Sequence, residues 1–294
     1  MPRPRVYVTG PIPSEVAAAV AKDFELLDQP VGAEGVLSLP SSRIERALFE
    51  LAGPQLRIVA NYGVGIDNID LDAARVRGIV VANTPDVLTD ATAEHAIALT
   101  LSLLRRVVEG DRFLRARGSW SSGLEFMLGR SLRGSRFLVV GPGRIGLATG
   151  RLASALGADV WFARRGEALL PLLATADVIS LHVPLTPETR HLIDARAIAA
   201  MRGATALVNT ARGAILDEEA LAAALVEHRI AGAALDVFED EPHVPKALLG
   251  LDNVVLTPHI GSGTRETRIR MGMLAVSALG DMLLRNRCPA NAVD

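Results

Sequence analysis

Short apolar runs alternate along this chain with amphipathic stretches of helical period. The runs predict early strands at residues 5–9, 24–27, 35–39, 56–61 and 79–82. Helical patterns at 14–21, 41–49 and 71–77 lie between them. Strands that alternate with helices in this way are typical of a parallel sheet in an α/β domain.

A second α/β series begins near residue 136. Its strands are predicted at 136–140, 159–162, 178–182, 206–209, 233–236 and 254–256, with a last helix at 264–284. These runs are apolar with little alternation, as expected of a sheet covered on both faces. The last helix has no strand after it and could pack back on the first domain. We therefore predict two Rossmann-like, doubly wound domains with a cleft between them, formed by residues 1–91 plus 268–294 and by residues 92–267.

A long helical stretch is predicted at residues 91–117, between the two series. Ile97, Leu101 and Leu104 form one apolar stripe, and further apolar residues nearly complete the ring. A helix that is apolar around most of its circumference should be buried on several sides. A domain junction or a subunit interface would bury it, and we therefore expect a homodimer.

The composition excludes several classes of partner. The formal net charge of −2 provides no basic surface for nucleic acid or for an acidic membrane. No apolar run is long enough to span a bilayer, and the N-terminus lacks the pattern of a signal peptide. Cys288 is the single cysteine, so no intrachain disulfide can form. We expect a cytoplasmic protein with no metal site.

A glycine-rich turn follows the strand predicted at 136–140. The first glycine permits a tight turn, the second lets the backbone approach a pyrophosphate, and the third lets the next helix pack on the strand. The N-terminus of that helix offers free amides and a partial positive charge to phosphates. The residues predicted to form this dinucleotide-binding turn are Gly141, Gly143, Arg144, Ile145 and Gly146.

The next strand end indicates which nicotinamide cofactor is bound. An acidic residue about 20 positions past the first glycine usually bonds the ribose hydroxyls of NAD. Residues 161–165 contain no acid and end in Arg164 and Arg165. Guanidinium groups suit a 2′-phosphate, so we predict NADP(H), with NAD(H) left open. The alternative is that both arginines only cap the strand end in solvent.

Three polar segments follow later strands, at residues 208–213, 234–242 and 257–262. Ligands of open parallel sheets bind at the carboxyl ends of the strands. Arg212, Glu241 and His259 could therefore converge on one crevice.

These three segments, together with residues 61–70, residues 83–90 and the glycine turn, resemble motifs of the D-isomer-specific 2-hydroxyacid dehydrogenases. The motifs follow one another along this chain in the same order as in that family. Within the family the chain is similar to the glyoxylate/hydroxypyruvate reductases. The resemblance implies NAD(P)H-dependent reduction of a small 2-oxoacid to the D-2-hydroxyacid.

The resemblance also implies a role for individual residues. Arg212 would bind the substrate carboxylate and polarise its carbonyl, His259 would be the general acid, and Glu241 would pair with that histidine. The backbone at Val64 and Gly65 would hold the substrate carboxylate. Further cofactor contacts would come from Thr92, Pro184, Thr210, Ala211, Asp236, His259 and Gly261, with Asp236 on the nicotinamide carboxamide.

The chemistry of the reaction agrees with these roles. Hydride transfer to a ketone builds negative charge on oxygen, which a fixed cation and a proton donor stabilise. A carboxylate beside His259 would favour its protonated form near neutral pH. Structural or surface roles are expected for the other histidines, His95, His182, His191, His228 and His243.

Two alternatives stay open, a phosphoglycerate dehydrogenase-like enzyme and a non-catalytic NAD(H)-sensing regulator on the same fold. A formate dehydrogenase is disfavoured, because such relatives lack an acid at the position of Glu241. Residues 123–128 offer Phe126 and Met127 where glyoxylate-type relatives place an aromatic that reaches the partner subunit's site. The preferred 2-oxoacid therefore stays open.

Overall fold

The computed structural model describes residues 2–121 and 123–293. The chain divides into two compact units, Met1–Leu88 with Ser262–Asp294, and Thr89–Gly261. The divisions fall at 88/89 and 261/262, where the sequence predicted 91/92 and 267/268. Each unit is built on one sheet of parallel strands, as predicted for two α/β domains.

The first unit contains a five-stranded sheet in the order β2-β1-β3-β4-β5. Its strands are β1 (Arg5–Val8), β2 (Glu25–Leu27), β3 (Gly35–Ser38), β4 (Ile58–Asn61) and β5 (Val80–Ala82). Its first three helices are α1 (Ser14–Asp23), α2 (Arg46–Ala52) and α3 (Leu71–Val76). Val36, Phe49 and Val59 belong to the core between the sheet and α2 and α3.

The second unit contains a six-stranded sheet in the order β11-β10-β9-β8-β6-β7. Its strands are β6 (Arg136–Val140), β7 (Asp159–Ala163), β8 (Val178–Leu181), β9 (Ala206–Asn209), β10 (Gly232–Leu235) and β11 (Val254–Leu256). Its helices are α4 (Thr89–Leu104), α5 (Val107–Arg117), α6 (Arg144–Ala155), α7 (Leu169–Leu173), α8 (Ala195–Ala200), α9 (Glu218–Val226) and α10 (Lys246–Leu249).

Both faces of the second sheet are covered. Alternate residues of a strand point to opposite faces. Phe137 and Val139 of β6 lie in the core formed with α4 and α6. Leu138 and Val140 lie in the core formed with α7, α8 and α9. The uniformly apolar strands predicted from the sequence are thus explained.

The order of strands changes direction at β6, which lies between β7 and β8. Consecutive connections leave a strand in this position toward opposite sides, and a crevice opens at its carboxyl end. The glycine-rich turn begins at that end, immediately after Val140. The topology therefore places the turn where parallel sheets of this kind bind their ligands.

The last helix, α11 (Arg265–Leu283), belongs to the first unit. Thr264 caps its N-terminus by accepting a hydrogen bond from the Thr267 amide at 3.2 Å. The helix packs on β3 and β4, where Gly35 leaves room for it: a Cβ at that position would lie 2.9 Å from methyl groups of Leu279 and Leu283. No helix in the described parts of the chain is long and apolar enough to span a bilayer.

The prediction of one long helix at residues 91–117 is wrong. The chain forms two helices, and Arg106 between them has a left-handed backbone with φ 55°. Helix α4 buries its apolar ring as predicted, with Ala96 and Leu99 among its buried residues. Helix α5 buries none of its side chains, because its sequence is rich in Glu, Asp and Arg.

The helix predicted at 41–49 starts later than expected. Helix α2 begins at Arg46, because Ile44 forms a parallel bridge with Ile69. The Ile44 amide donates to the Asn68 carbonyl and the Asp70 amide donates to the Ile44 carbonyl. These pairings hold the chain extended before the helix.

Candidate active site

The glycine-rich turn has the geometry that its sequence predicted. Gly141 has φ 90°, and a Cβ there would lie 2.7 Å from Val183. A Cβ on Gly146 would lie 2.3 Å from the Gly141 carbonyl oxygen, so only glycine lets helix α6 approach the turn this closely. Gly143 is exposed, and a Cβ there would meet no atom within 4 Å.

The space beside Gly143 fits a ligand approaching the backbone. Gly143 caps α6, whose first two residues are Arg144 and Ile145. The first amides of a helix have no partner within the helix and attract anions. At the end of β9, the buried hydroxyl of Thr210 lacks a hydrogen-bond partner among the described residues. The open cradle and the orphaned hydroxyl both fit a dinucleotide.

The arginine pair lies at the end of β7. Arg164 and Arg165 are both exposed, and the Arg164 amide donates to the Glu167 carboxylate at 2.9 Å. The pKa of Glu188 is lowered by hydrogen bonds from the Thr186 hydroxyl and from the backbone amide of Glu188 itself, and the charge of Arg165 adds to that effect. The sequence did not indicate Glu188, which is distant from the arginines along the chain.

The segment after β9 holds Arg212. The Asn209 side chain folds it by accepting from the Ala211 amide at 3.0 Å and donating to the Arg212 carbonyl at 2.8 Å. The Arg212 guanidinium donates to the Ala211 carbonyl at 2.7 Å. The arginine is therefore supported by its own loop, at the carboxyl end of the sheet.

The central pair of the site is His259 with Glu241. Nδ1 of His259 lies 2.8 Å from Oε2 of Glu241, and Oε1 of Glu241 accepts from the Phe238 amide at 3.1 Å. Burial acts to raise the pKa of Glu241, but the hydrogen bond and charge of His259, the Phe238 amide and the charge of Arg212 outweigh it. The pKa of Glu241 is therefore lowered, and the carboxylate stays ionised as a partner for the imidazole.

The segment that carries Glu241 is anchored on both sides. The Glu239 amide donates to the Glu218 carboxylate at 2.8 Å, and the Glu239 carboxylate accepts from Arg190 and His191. Burial raises the pKa of Glu218, with the charges of Glu239 and Glu241 adding to it. The sequence analysis gave His191 only a surface role, and it missed Glu218 entirely.

Asp236 follows β10 and is 1% exposed. Its carboxylate accepts from Thr257, from the amides of Ile260 and Gly261, and from the ring of His95. Burial acts to raise the pKa of Asp236, and these hydrogen bonds together with the charge of His95 lower it below the ordinary value. Asp236 was predicted as a cofactor contact only, whereas its hydrogen bonds also hold the loop of His259.

Other predicted residues lie around these elements. Thr92 is buried on α4, with a methyl group 3.5 Å from where a Cβ on Gly261 would lie. Pro184 is exposed after β8, and its carbonyl accepts from the Thr189 hydroxyl at 2.6 Å. His182 has the structural bond that was expected: its Nε2 lies 2.8 Å from the Ser180 hydroxyl, and burial lowers its pKa to about 4.

Val64 and Gly65 belong to the first unit, after β4. Their carbonyls accept from side-chain amides, that of Val64 from Asn83 at 2.8 Å and that of Gly65 from Asn61 at 2.6 Å. These bonds fix the loop within its own unit.

Comparison with known proteins shows the family to which the chain belongs. The family described as "D-isomer specific 2-hydroxyacid dehydrogenase, NAD binding domain" matches residues 97–261. The chain belongs to this family of enzymes. As a D-2-hydroxyacid dehydrogenase, it has the nicotinamide-binding domain that the glycine turn predicted, and the family resemblance stated from the sequence is confirmed.

Relatives of this D-2-hydroxyacid dehydrogenase extend the match over both units. The glyoxylate reductase of Pyrococcus furiosus is 42% identical, over 94% of this chain and 91% of that protein. The glyoxylate reductase of Korarchaeum cryptofilum is 41% identical, over 99% of this chain and 96% of that protein. The crystal structure of an NADPH-dependent glyoxylate/hydroxypyruvate reductase from Sinorhizobium meliloti, with NADP and malonate, is 34% identical and covers 99% of this chain and 97% of its own, with a TM-score of 0.87.

Proposed function

We propose that this enzyme reduces a small 2-oxoacid of the glyoxylate or hydroxypyruvate type to the D-2-hydroxyacid. The observation that carries the proposal is the 2.8 Å contact between Nδ1 of His259 and Oε2 of Glu241. A histidine held through one nitrogen is oriented to donate a proton from the other. The names of the relatives from Pyrococcus furiosus and Korarchaeum cryptofilum support the substrate class.

The protein's part in the reaction is to bind the oxoacid and to stabilise the charge that develops on its oxygen. When bound, the reduced nicotinamide supplies a hydride for C2 of the oxoacid. Arg212 pairs with the substrate carboxylate and stabilises negative charge on the carbonyl oxygen. His259 gives the proton on Nε2 to that oxygen, becomes neutral, and regains a proton from solvent. Glu241 holds the Nδ1 proton throughout and keeps the ring in one orientation.

We assign the second contact to the substrate carboxylate to the backbone amides of Val64 and Gly65. The hydrogen bonds from Asn61 and Asn83 to the carbonyls of this loop support that role, since they fix its conformation in advance. A preformed amide pair binds a carboxylate without the entropic cost of ordering the loop.

The cofactor we propose is NADP(H). Arg164 and Arg165 are exposed at the end of β7, and no acid lies between 161 and 165. The adenosine 2′-phosphate would bind between the two guanidinium groups. The NADP-bound relative from Sinorhizobium meliloti supports this choice. The other cofactor contacts we propose are Thr92, Gly141, Gly143, Arg144, Ile145, Gly146, Pro184, Thr210, Ala211, Asp236, His259 and Gly261.

We further propose that the enzyme is a homodimer through α5 and the segment after it. Trp120 is 62% exposed and Leu124 is 98% exposed. Exposed large apolar side chains can mark an interaction surface. Light scattering coupled to gel filtration measures the mass directly, and Trp120→Glu with Leu124→Glu is expected to shift it from about twice 31.1 kDa to the monomer.

Steady-state kinetics test the activity. Glyoxylate, hydroxypyruvate, pyruvate, phenylpyruvate and 3-phosphohydroxypyruvate are each assayed with NADPH and with NADH. We expect turnover of glyoxylate or hydroxypyruvate, and a kcat/KM at least about 100-fold lower for Arg212→Met, since a transition-state contact is lost. Arg196→Met, at an exposed arginine on α8, is the matched control.

Each other outcome identifies an alternative. Preference for the phosphorylated acid would favour a phosphoglycerate dehydrogenase-like enzyme. Nicotinamide binding without turnover of any 2-oxoacid would favour a non-catalytic sensor of the cofactor.

A further inference from the structure

Asp236 anchors three consecutive amides of the loop that carries His259. Its backbone carbonyl accepts from the His259 amide at 2.8 Å. Its carboxylate accepts from the Ile260 amide at 2.9 Å and from the Gly261 amide at 2.7 Å. One residue therefore fixes the backbone of His259 and of the two residues that follow.

The anchor holds a backbone conformation that histidine rarely adopts. His259 has φ 54°, in the left-handed region, which is unfavourable for a residue with a Cβ. Such a conformation persists only where the surroundings determine it. The Asp236 backbone carbonyl holds the His259 amide, and its carboxylate holds the next two amides. We infer that the direction of the His259 side chain depends on where this carboxylate lies.

His95 reaches this carboxylate from helix α4, 141 residues away along the chain. Its Nε2 atom lies 3.2 Å from Oδ1 of Asp236 and 3.1 Å from the Thr257 hydroxyl. The Thr257 hydroxyl donates to the same Oδ1 at 2.6 Å, which leaves its oxygen free to accept. Nε2 of His95 therefore carries a hydrogen and donates to both groups.

This contact ties the loop to a buried helix. His95 is 17% exposed in its side chain and lies on α4, whose residues 91, 92, 93 and 96 are buried. The other donors to Asp236 come from residues 257–261, on the loop itself. The His95 bond thus connects the Asp236 carboxylate to α4, a helix outside the loop.

We propose that His95 is a positioning residue for the general acid. Through Nε2 it holds the Asp236 carboxylate against α4, and Asp236 in turn sets the backbone of His259 and the approach of its ring to Glu241. His95 touches neither substrate nor hydride in this role. The inference rests on the proposed function of His259, and it goes beyond that function in assigning a second histidine to the site.

Two variants of His95 separate a lost hydrogen bond from a lost side chain. Leucine fills a similar volume and has no donor. Glutamine places an amide N–H at about the reach of Nε2 and can restore the bond to Asp236. His228→Asn is the control, because His228 is exposed just after α9, its left-handed backbone (φ 52°) suits asparagine, and it has no part in the proposed site.

The first measurement does not depend on turnover. The chain has 6 histidines, so the ring signals of ¹⁵N-labelled protein can be assigned by single substitution. We expect His95→Leu to move the ¹⁵N signal of His259 Nδ1, because the contact of this atom with Glu241 becomes looser. His95→Gln should return that signal to its position in the unsubstituted protein.

The second measurement is the reduction of the best 2-oxoacid. We expect kcat to fall about tenfold in His95→Leu and less than about threefold in His95→Gln, since small misplacements of a catalytic group cost this much. Equal loss in both variants, or a His259 ring signal that neither variant moves, would overturn the inference. If the unsubstituted enzyme turns over no 2-oxoacid while the His259 signal moves as described, the proposed function fails and the positioning role stands.

Discussion

Oε2 of Glu241 lies 2.8 Å from Nδ1 of His259, while Oε1 of the same carboxylate is held by the Phe238 amide at 3.1 Å. Both oxygens of Glu241 are therefore engaged, and the imidazole meets a carboxylate whose own orientation is fixed. Glutamine removes the charge of Glu241 and keeps one oxygen that can accept from Nδ1, while its NH2 group takes the place of the oxygen that accepts from the Phe238 amide.

Glu241→Gln is expected to shift the pH profile of 2-oxoacid reduction to lower pH. The general acid must be protonated, so reduction is lost once the pH is high enough to deprotonate it. The carboxylate stabilises the protonated ring, and without its charge the alkaline limb of the profile moves to lower pH. The measurement is kcat/KM from pH 5 to 10. Glu219→Gln, at an exposed position on α9, is the control, and an unchanged alkaline limb in Glu241→Gln would contradict the pairing.

Part of this site could be predicted from the sequence and part could not. The glycine turn, the strand ends and the apolar strands all have local patterns, and the order of the motifs identified the family that carries Glu241 and His259. His95 has no such signal. It is one residue of an apolar helix, and only the packing of α4 against β10 in the fold brings it to its partner Asp236.

The failures along the fold have the same origin. The helical pattern of the sequence continues from α4 into α5, but the left-handed backbone of Arg106 separates the two helices. The arginine side chain does not predict this backbone conformation. Residues 41–45 have a helical pattern, but Ile44 pairs with Ile69 instead of joining the helix. In both cases tertiary contacts override local propensity.

Asp236→Asn is expected to destabilise the protein most at neutral pH. The pKa of Asp236 is lowered in the folded protein, so its stabilisation is present above the ordinary carboxyl value near pH 4 and is lost as pH falls through the lowered value. Asparagine would turn an N–H toward one of the groups that now donate a hydrogen bond to the buried carboxylate. We expect Asp236→Asn to lower the free energy of unfolding by about 3 kcal/mol at pH 7, and by less as the pH approaches 3.

Urea unfolding of the two proteins between pH 3 and pH 8 measures this difference. Asp72→Asn is a suitable control, since the Asp72 side chain is 94% exposed. A difference between Asp236→Asn and the unsubstituted protein that stays constant over the whole pH range would show that the charge of Asp236 does not contribute.

Gly213→Ala and Gly143→Ala are expected to separate folding from cofactor binding. A Cβ on Gly213 would lie 1.9 Å from the Phe238 carbonyl carbon and 2.2 Å from the Glu239 amide nitrogen, so the segment leading to Glu241 must move. We expect Gly213→Ala to lower the free energy of unfolding by about 2–3 kcal/mol. A Cβ on Gly143 meets nothing within 4 Å, and Gly143→Ala should fold normally.

The same pair is then compared in cofactor titrations. A methyl group on Gly143 would occupy the space proposed for the pyrophosphate, so its Kd for NADPH should rise about tenfold or more. Stability is read from urea unfolding and affinity from quenching of protein fluorescence. Unaltered NADPH affinity in Gly143→Ala would place the pyrophosphate elsewhere.

Replacement of Arg164 and Arg165 by alanine is expected to change the choice of cofactor. Both side chains are exposed at the end of β7 and can pair with a 2′-phosphate, which NADH lacks. Each charge-assisted contact contributes about 1.5–3 kcal/mol, so the KM for NADPH should rise at least about tenfold in either single variant. The KM for NADH should stay within about twofold.

Arg151→Ala, at an exposed arginine on α6, should change neither KM value. An equal loss with both cofactors would mean that the arginines support the fold of the strand end, and a tenfold preference of the unsubstituted enzyme for NADH would exclude them as a 2′-phosphate site.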